Sequence, residues 1–528
     1  LCPRKKLQGY LHLGNILRVK TNKVLLIHPP VVRPCEPPPG IARLSGALKR
    51  HGVGYEIIDA NLEGLLFLSQ RPLEARDTWT RRAVARAARN LEVLMQPAAY
   101  RNLDRYKQAV FELNRVLSRQ DRSGNIEVSL ANYRDRNLSP VKSGDLIRAF
   151  ESPEKNPFFP YFEKRLHEAM ENDRPRLAGF SLNFLSQALC TFAMIGTLRR
   201  LDPTVNIILG GGLITSWMRR PGWRNPFEGI IDGLVAGEGE AALLSILEME
   251  YTAGSGISDF NRFLSLSYLS PGFILPYSAS SGCYWRRCAF CPERAEANPY
   301  RPISSPRVVL QLKSLIRSLK PVLVHFTDNA VSPALLKALV REPCRVPWYG
   351  FVRITRHLAD PDFCTALKRS GCVMLQIGLE SGSQKVLDGF CKGIDLKIAH
   401  KVLESLKHAG IAAYVYLLFG TPWETEPDAE KTLEFTVRNS DAITFLNLAI
   451  FNLPAFGPQT DGLDTMPLDT GDMFLYRRFE HPAGWHRRHI RRFLENKFRR
   501  HPAIAPIIRN DPPVFTSNHA PFFAPSLL

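Results

Sequence analysis

Leu177-Ala-Gly-Phe-Ser181, Leu185 to Leu201 and Asn206-Ile-Ile-Leu209, closed by Gly210-Gly211-Gly212, read as a strand, a helix and a second strand ending in glycines. The two short apolar runs lack the polar alternation of a half-exposed sheet, and the helix between them supplies the crossover that parallel strands require. The unit recurs on both sides. Upstream, Lys23-Val-Leu-Leu-Ile27 breaks at His28-Pro29-Pro30, followed by a helix (Ile41 to His51) and a strand at Tyr55-Glu-Ile-Ile58 ending in Asp59. Downstream come Gly233-Leu-Val-Ala236 and Gly237-Glu238-Gly-Glu240, which opens another helix. Strands alternating with helices, with glycines at strand C-termini, predict an α/β fold: a doubly wound, Rossmann-like parallel sheet over residues 23–250, preceded by an extension at 1–22. Leu62 to Asp173 shows helical periodicity and no convincing strand, so a helical insertion is expected there.

A linker (251–271) leads to a second series of βα units over 272–456. Its strands are Val322 to Phe326, Trp348 to Val352, Val373 to Gly378, Ala412 to Phe419 and Ala442 to Leu448, and polar residues follow them. That is the pattern of a partial (β/α)6 TIM-like barrel, whose chemistry gathers at strand C-termini. Residues 457–528 read as a C-terminal extension, with a helix from Trp485 to Arg500. Its Phe515-Thr-Ser-Asn-His519-Ala-Pro-Phe-Phe523 segment has two readings: one closes the barrel mouth, the other is a strap packing aromatics on the barrel.

Composition narrows the class. Hydrophobic residues make up 45% and charged residues 23%, as in a globular protein. The longest apolar run, Ile411 to Phe419, is strand-sized, so no membrane span is expected. The basic N-terminus has no apolar core behind it, and a cytoplasmic address is expected. A net charge of +19 attracts polyanions, but the excess lies in two Arg-rich stretches (Arg71 to Arg122, Arg477 to Arg500) that read as solvated faces. Nucleic acid is therefore not the expected partner.

Ten cysteines in 528 residues are too few for a disulfide scaffold. Three are clustered: Cys283-Tyr-Trp-Arg-Arg-Cys288-Ala-Phe-Cys291, a C-x4-C-x2-C loop preceded by a glycine. Three thiolates bind three irons of a 4Fe-4S cluster and leave the fourth open to the amino and carboxylate groups of S-adenosylmethionine (SAM). A structural zinc site would want a fourth ligand nearby, and the first histidine after the loop is His325. Cys344, Cys364, Cys372 and Cys391 lack ligand spacing and are expected to be buried apolar residues.

From Phe273 to Pro454 the sequence resembles the radical SAM superfamily, with one residue more than the familiar C-x3-C-x2-C. The resemblance implies that Cys283, Cys288 and Cys291 ligate the cluster and that Phe290 lies beside the SAM adenine. It further implies contacts of Thr327, Asp328 and Asn329 with the SAM amino group, of Arg353 and Ser381 with its carboxylate, and of Glu380 with its ribose. Gly420-Thr-Pro-Trp-Glu424 resembles the family's Gly-x-Pro-x-Glu turn near adenine. An α/β sheet ahead of such a barrel is similar to the cobalamin-dependent members. That implies cobalamin at His28, Gly210, Gly211, Gly212, Gly237 and Glu238, although no Asp-x-His-x-x-Gly motif is present.

The implied activity is reductive cleavage of SAM to a 5′-deoxyadenosyl radical, hydrogen abstraction and cobalamin-dependent methyl transfer. The implied partners are a small-molecule or peptide substrate and a flavodoxin- or ferredoxin-type electron donor. A radical SAM maturase or rearrangement enzyme without cobalamin remains an alternative, as does a nucleic-acid-binding or tRNA-modifying iron–sulfur protein.

Overall fold

A computed structural model describes residues 11–12, 18–21, 23–75, 77–121, 123–251, 257–457, 462–513 and 519–524. The chain forms two compact units. The first comprises residues 1–99, 104–270 and 469–475; the second comprises 100–103, 271–468 and 476–528.

The first unit is built on β1 (Lys23–Ile27), β2 (Gly54–Ile58), β3 (Leu177–Ser181), β4 (Asn206–Gly210) and β5 (Gly233–Val235). They pair in parallel in the order β2-β1-β3-β4-β5, and Leu11–His12 adds an antiparallel edge beside β5. Val24 to Ile27 are fully buried, as expected of a parallel strand covered on both faces. The order reverses between β1 and β3, and a crevice at such a switch point is the general ligand site of open α/β sheets. The long crossover from β2 to β3 is the insertion, with helices at Ala60–Gln70, Thr78–Met95, Leu103–Leu117, Ser143–Glu151 and Phe159–Asp173. It also contains a short hairpin, Ile126–Val128 with Tyr133–Asp135, which corrects the all-helical expectation. The hairpin is held by long-range partners, Leu130 N–H donating to Asn114 Oδ1 (2.9 Å), and three-residue strands leave no periodic signal. Residues 257–270 are not a free tether: Asp259 N–H donates to the Ala42 carbonyl, and Tyr268 donates its hydroxyl to Asp59.

The second unit is a six-stranded parallel sheet in strict sequence order: β6 (Ile274–Tyr277), β7 (Leu323–Phe326), β8 (Trp348–Val352), β9 (Cys372–Glu380), β10 (Ala412–Phe419) and β11 (Phe445–Ile450). Its helices start where the sequence supplies caps. Ser332 and Asp360 each accept from backbone N–H groups of the helices Pro333–Arg341 and Pro361–Arg369, with proline at the first helical position. Along β10, Leu417 and Phe419 are buried while Tyr416 and Leu418 are partly exposed, so the inward face lines a lumen.

At the strand-start end a floor of Ile274, Leu323, Tyr349, Met374, Tyr414 and Phe445 closes that lumen, with Ala520 and Phe523 packed on it. His519 stacks on Tyr414 (4.8 Å) and pairs with Asp511 at 2.8 Å. The C-terminal segment is thus a strap at the opposite end from the cysteine loop; its residues 514–518 lie outside the described residues.

Asp59 tests the packing of the first unit. It ends β2, accepts from Leu62 N–H (3.1 Å) and the Tyr268 hydroxyl (2.7 Å), and is 1% exposed. Burial raises its pKa from 3.8 to about 6 against those hydrogen bonds. A folded value above the unfolded one means the group's contribution is fully present below about pH 4 and is lost as pH rises through about 6. Between pH 4 and 7.5, Asp59 is expected to remove roughly 2–3 kcal/mol of stability. Denaturant melts of wild type and Asp59→Asn across that range should differ in slope by this amount.

Candidate functional site

The cysteine loop follows β6 and is anchored before it begins. Asp328, just after β7, is 3% exposed; its carboxylate accepts from Ala279 N–H (2.9 Å) and from the Ser280 hydroxyl. Burial raises its pKa, opposed by those donors. Thr327 shares a hydrogen bond with Ser278 (2.7 Å between hydroxyl oxygens), and Asn329 is exposed. This pair of side chains clamps the ends of β6 and β7 together three residues ahead of Cys283. Gly282 then turns the chain at φ 71°.

Arg353, the residue after β8, is 8% exposed and reaches into the loop. One guanidinium nitrogen donates to Cys288 Sγ (3.6 Å) and the other to the Lys392 carbonyl, while the group lies 4.3 Å over the Trp285 ring. Phe290 meets Phe390 edge-on at 5.0 Å, and Ala289 N–H donates to the Phe390 carbonyl. Glu380, at the end of β9, accepts from Lys392 Nζ at 2.6 Å, and that ammonium also lies 5.3 Å from the Phe290 ring. Cys288, Phe290, Arg353 and Glu380, singled out from distant parts of the sequence, are therefore one cluster at the strand C-termini.

Ser381 and Glu424 occupy the turns behind it. Ser381 is fully buried, hydrogen-bonded to Thr432 (3.2 Å) and Ser383 N–H (3.1 Å). Glu424, also fully buried, accepts from Gly420 N–H and Trp485 Nε1 (3.0 Å); its other oxygen has no partner, and burial pushes its pKa up to about 7. Gly420 itself turns at φ 80°.

The three thiols are unbridged. Burial raises the Cys288 thiol, opposed by Lys392 and Arg353, and pushes Cys291 up to about 11. Among the described residues no three His, Cys, Asp or Glu side chains converge on a single-ion position. A 4Fe-4S cluster asks for something different, one thiolate on each of three irons, so the sulfurs stand apart. Three unbridged thiols on one loop, with a guanidinium donating to one of them, fit that group. Cys344, Cys364 and Cys372 are buried as expected, whereas Cys391 is exposed, because it turns at φ 56° in the segment that faces the cysteine loop.

In the first unit, His28 follows β1 and is 7% exposed; its Nδ1 has no partner, and burial lowers its pKa to about 4. Gly211 sits at φ 110°, where a Cβ would stand 2.4 Å from the Leu182 carbonyl oxygen, so only glycine fits. Gly212 N–H bonds Asn183 Oδ1 (2.9 Å), and Gly237 N–H bonds Thr215 Oγ1 (2.9 Å). Gly210 faces Val235 across the β4–β5 pair. Glu238 faces Arg43 (3.8 Å), which also binds Glu240 (2.6 Å). A neutral imidazole with an orphan buried nitrogen, on the same C-terminal edge of the parallel sheet as the glycine-rich strand ends, suits a large planar cofactor such as cobalamin.

Residues 277–436 match the radical SAM superfamily. The chain carries a radical SAM domain. It is 24% identical over 163 residues to an uncharacterized methyltransferase of Pyrococcus horikoshii, covering 30% of this chain and 35% of that one. It is 23% identical over 292 residues to the hopanoid C-3 methylase of Methylococcus capsulatus, covering 48% of this chain and 55% of the relative. The chain thus spans about a third and about half of these two relatives' lengths. Its fold is similar to that of the radical SAM methyltransferase TsrM from Kitasatospora setae, solved with cobalamin and a [4Fe-4S] cluster: TM-score 0.52, 16% identity, 84% of this chain and 77% of that one. A Rossmann-like sheet followed by a radical SAM barrel is the architecture the two share.

Sequence reading missed Lys392, Trp285 and Trp485. Trp285 carried a signal, lying inside the C-x4-C segment; Trp485 was read as opening a helix that begins at Arg487, so it instead sits in the turn before it, and Lys392 sits in a loop with no pattern. The Lys392–Glu380 pair is tightly buried, with side chains 7% and 13% exposed. Removing one partner strands a buried charge, so Lys392→Met should destabilise the protein by about 3 kcal/mol. Lys392→Met with Glu380→Gln should recover most of that loss in urea titrations.

Proposed function

We propose that this chain is a cobalamin-dependent radical SAM methyltransferase. The observation that supports it most is the three-thiol loop held at the strand C-termini of the second unit by Arg353, in a chain whose first unit is a 2-1-3-4-5 sheet with an orphan imidazole at its switch point. Cys283, Cys288 and Cys291 would hold three irons of a 4Fe-4S cluster. Phe290, Thr327, Asp328, Asn329, Arg353, Glu380, Ser381, Gly420 and Glu424 would form the SAM site. His28, Gly210, Gly211, Gly212, Gly237 and Glu238 would border cobalamin. When bound, these groups bring one-electron cleavage of SAM to methionine and a 5′-deoxyadenosyl radical, hydrogen abstraction from a substrate carbon, and methyl transfer by way of cobalamin.

The chain's own residues orient and exclude. Arg353 supplies fixed positive charge where a carboxylate would lie, and its second nitrogen, bonded to the Lys392 carbonyl, keeps it from swinging away. Phe290, Phe390 and Trp285 wall the loop against water, which would weaken every charge contact there. Asp328 fixes the path of the chain into Cys283 without spending a charge on the ligand. Glu424 and Ser381 hold the strand-end turns from behind, so their contribution to SAM binding is through backbone placement. The lumen above the floor, lined by Tyr416 and Leu418, takes a small-molecule or peptide substrate, and the electron comes from a flavodoxin- or ferredoxin-type donor in a reducing, cytoplasmic setting. No described helix is long and apolar enough to cross a membrane.

Anaerobic reconstitution with iron, sulfide, cobalamin and SAM tests this reading, with 5′-deoxyadenosine and the cobalt spectrum followed together. Both signals are expected, and a cobalt-free protein that methylates its substrate would overturn the cobalamin part. Cys288→Ala should abolish both the cluster absorbance and 5′-deoxyadenosine. Arg353→Ala should retain cobalamin and lower SAM cleavage by roughly 10–100-fold, the usual cost of losing an outer-shell partner.

A further inference from the structure

The residues between the first two cysteines are not slack. Trp285 donates its indole N–H to the Cys391 carbonyl (3.0 Å) and lies flat on Gly393, where a Cβ would come within 2.2 Å of the ring. With the Arg353 guanidinium on the same indole, this pins the middle of the loop to the barrel. The chain then reverses at Arg286, whose φ of 52° is left-handed and costs a non-glycine residue about 1 kcal/mol or more. The reversal turns Arg286 and Arg287 outward, and both are exposed. Arg294 joins them from the short helix Pro292–Ala295: it too is exposed, and it donates to the Arg287 carbonyl (2.8 Å). Among the described residues no carboxylate pairs with any of the three. The nearby acids are set back: Glu293 and Glu296 are half-buried, and Glu296 accepts from Asn298.

We propose that Arg286, Arg287 and Arg294 form the docking surface for a small acidic one-electron carrier protein of the flavodoxin class. The inference rests on Cys283, Cys288 and Cys291 being the cluster ligands. Three guanidiniums on one loop without a carboxylate partner repel each other at a cost that the Arg294–Arg287 carbonyl bond and the Arg287–Trp285 contact do not require, and they steer an oppositely charged partner to that spot. The spot is the one an electron must enter. Arg286 and Arg287 immediately precede Cys288, and Arg294 lies one helical turn beyond Cys291, so a carrier seated on them covers the thiol loop. Tunnelling falls off exponentially with distance, which makes this face the useful one. Nucleic acid fits it less well: binding to single strands needs an open aromatic platform, and Trp285 is occupied by Gly393, Arg353 and the Arg287 guanidinium at 5.2 Å. For each SAM cleaved the carrier is oxidised by one electron, from its anionic hydroquinone to its neutral semiquinone, with no proton exchanged. That electron is accounted for by the broken sulfonium–carbon bond.

The test compares two reductants on the anaerobically reconstituted full chain, flavodoxin hydroquinone and sodium dithionite, with 5′-deoxyadenosine as product. Binding of oxidised flavodoxin is measured separately by calorimetry. With Arg286→Glu/Arg287→Glu, and with Arg294→Glu, the flavodoxin concentration for half-maximal rate should rise about tenfold or more. The dithionite-driven rate and the iron content should stay at wild-type levels, and Arg286→Lys/Arg287→Lys should behave as wild type. Wild-type flavodoxin affinity should also weaken with added salt. Charge reversal that leaves flavodoxin binding unchanged would overturn the proposal, as would a parallel fall in the dithionite rate, which marks a structural role. Wild-type binding to a single-stranded RNA oligonucleotide but not to flavodoxin would replace it with a nucleic-acid surface. If neither reductant yields 5′-deoxyadenosine, the cluster reading fails, while calorimetry still reads the docking surface on its own.

Discussion

Arg353 is the contact on which the candidate site depends. A guanidinium that is 8% exposed has lost most of its water, a cost of several kcal/mol that must be met by specific partners. It finds them in the Cys288 sulfur, the Lys392 carbonyl and the Trp285 ring, which come from the cysteine loop and from the segment after β9. One side chain at a strand end therefore ties together the end of β8, the cysteine loop and the segment after β9, adding to the direct Ala289–Phe390 and Trp285–Cys391 bonds between the last two. The planar fork of arginine is what allows this, because two nitrogens donate in different directions while the flat face stacks; a lysine would keep the charge and lose the geometry.

The buried carboxylates of the second unit extend the same logic. Asp328 is satisfied by the chain leading into the cysteines, Glu380 by Lys392, and Glu424 by a backbone N–H and the Trp485 indole. Each sits at a strand C-terminus, where the backbone alternation ends and side chains can converge from several strands. Their environments differ: Glu380 is matched by a full positive charge, while Glu424 is met by neutral donors and has its pKa raised to about 7. Two carboxylates that look alike in sequence are thus held in different electrostatic surroundings, one within the cysteine-loop cluster and one behind it as a brace for the C-terminal extension.

Much of the architecture was legible because periodicity and burial are local. Val24 to Ile27 and Leu177 to Ser181 are apolar without alternation, and sheets covered on both faces require that. The helices Pro333–Arg341 and Pro361–Arg369 begin at a proline directly after a Ser332 or Asp360 that caps them, so their starts are set by local residue type as well. The hairpin at Ile126–Val128 was not legible, since three-residue strands are too short for a pattern and are held by Asn114 from a neighbouring helix. Cys391 was misjudged for a related reason: its spacing says nothing about a turn at φ 56° that leaves the thiol in solvent.

The sequence by itself determined the two α/β units, the order of their strands along the chain and a three-thiol loop ahead of the second strand of the barrel, because each follows from residue type and spacing over a few turns. Only the tertiary structure decided which groups answer one another: that Lys392 pairs with Glu380, that Trp485 reaches Glu424, that Asp328 clamps the start of the cysteine loop, and that the C-terminal strap closes the strand-start end of the barrel. Those contacts depend on the paths of loops and on which residue of a strand faces inward at a given level. Chain segments tens to hundreds of residues apart settle them jointly, through the need to satisfy every buried charge and polar atom.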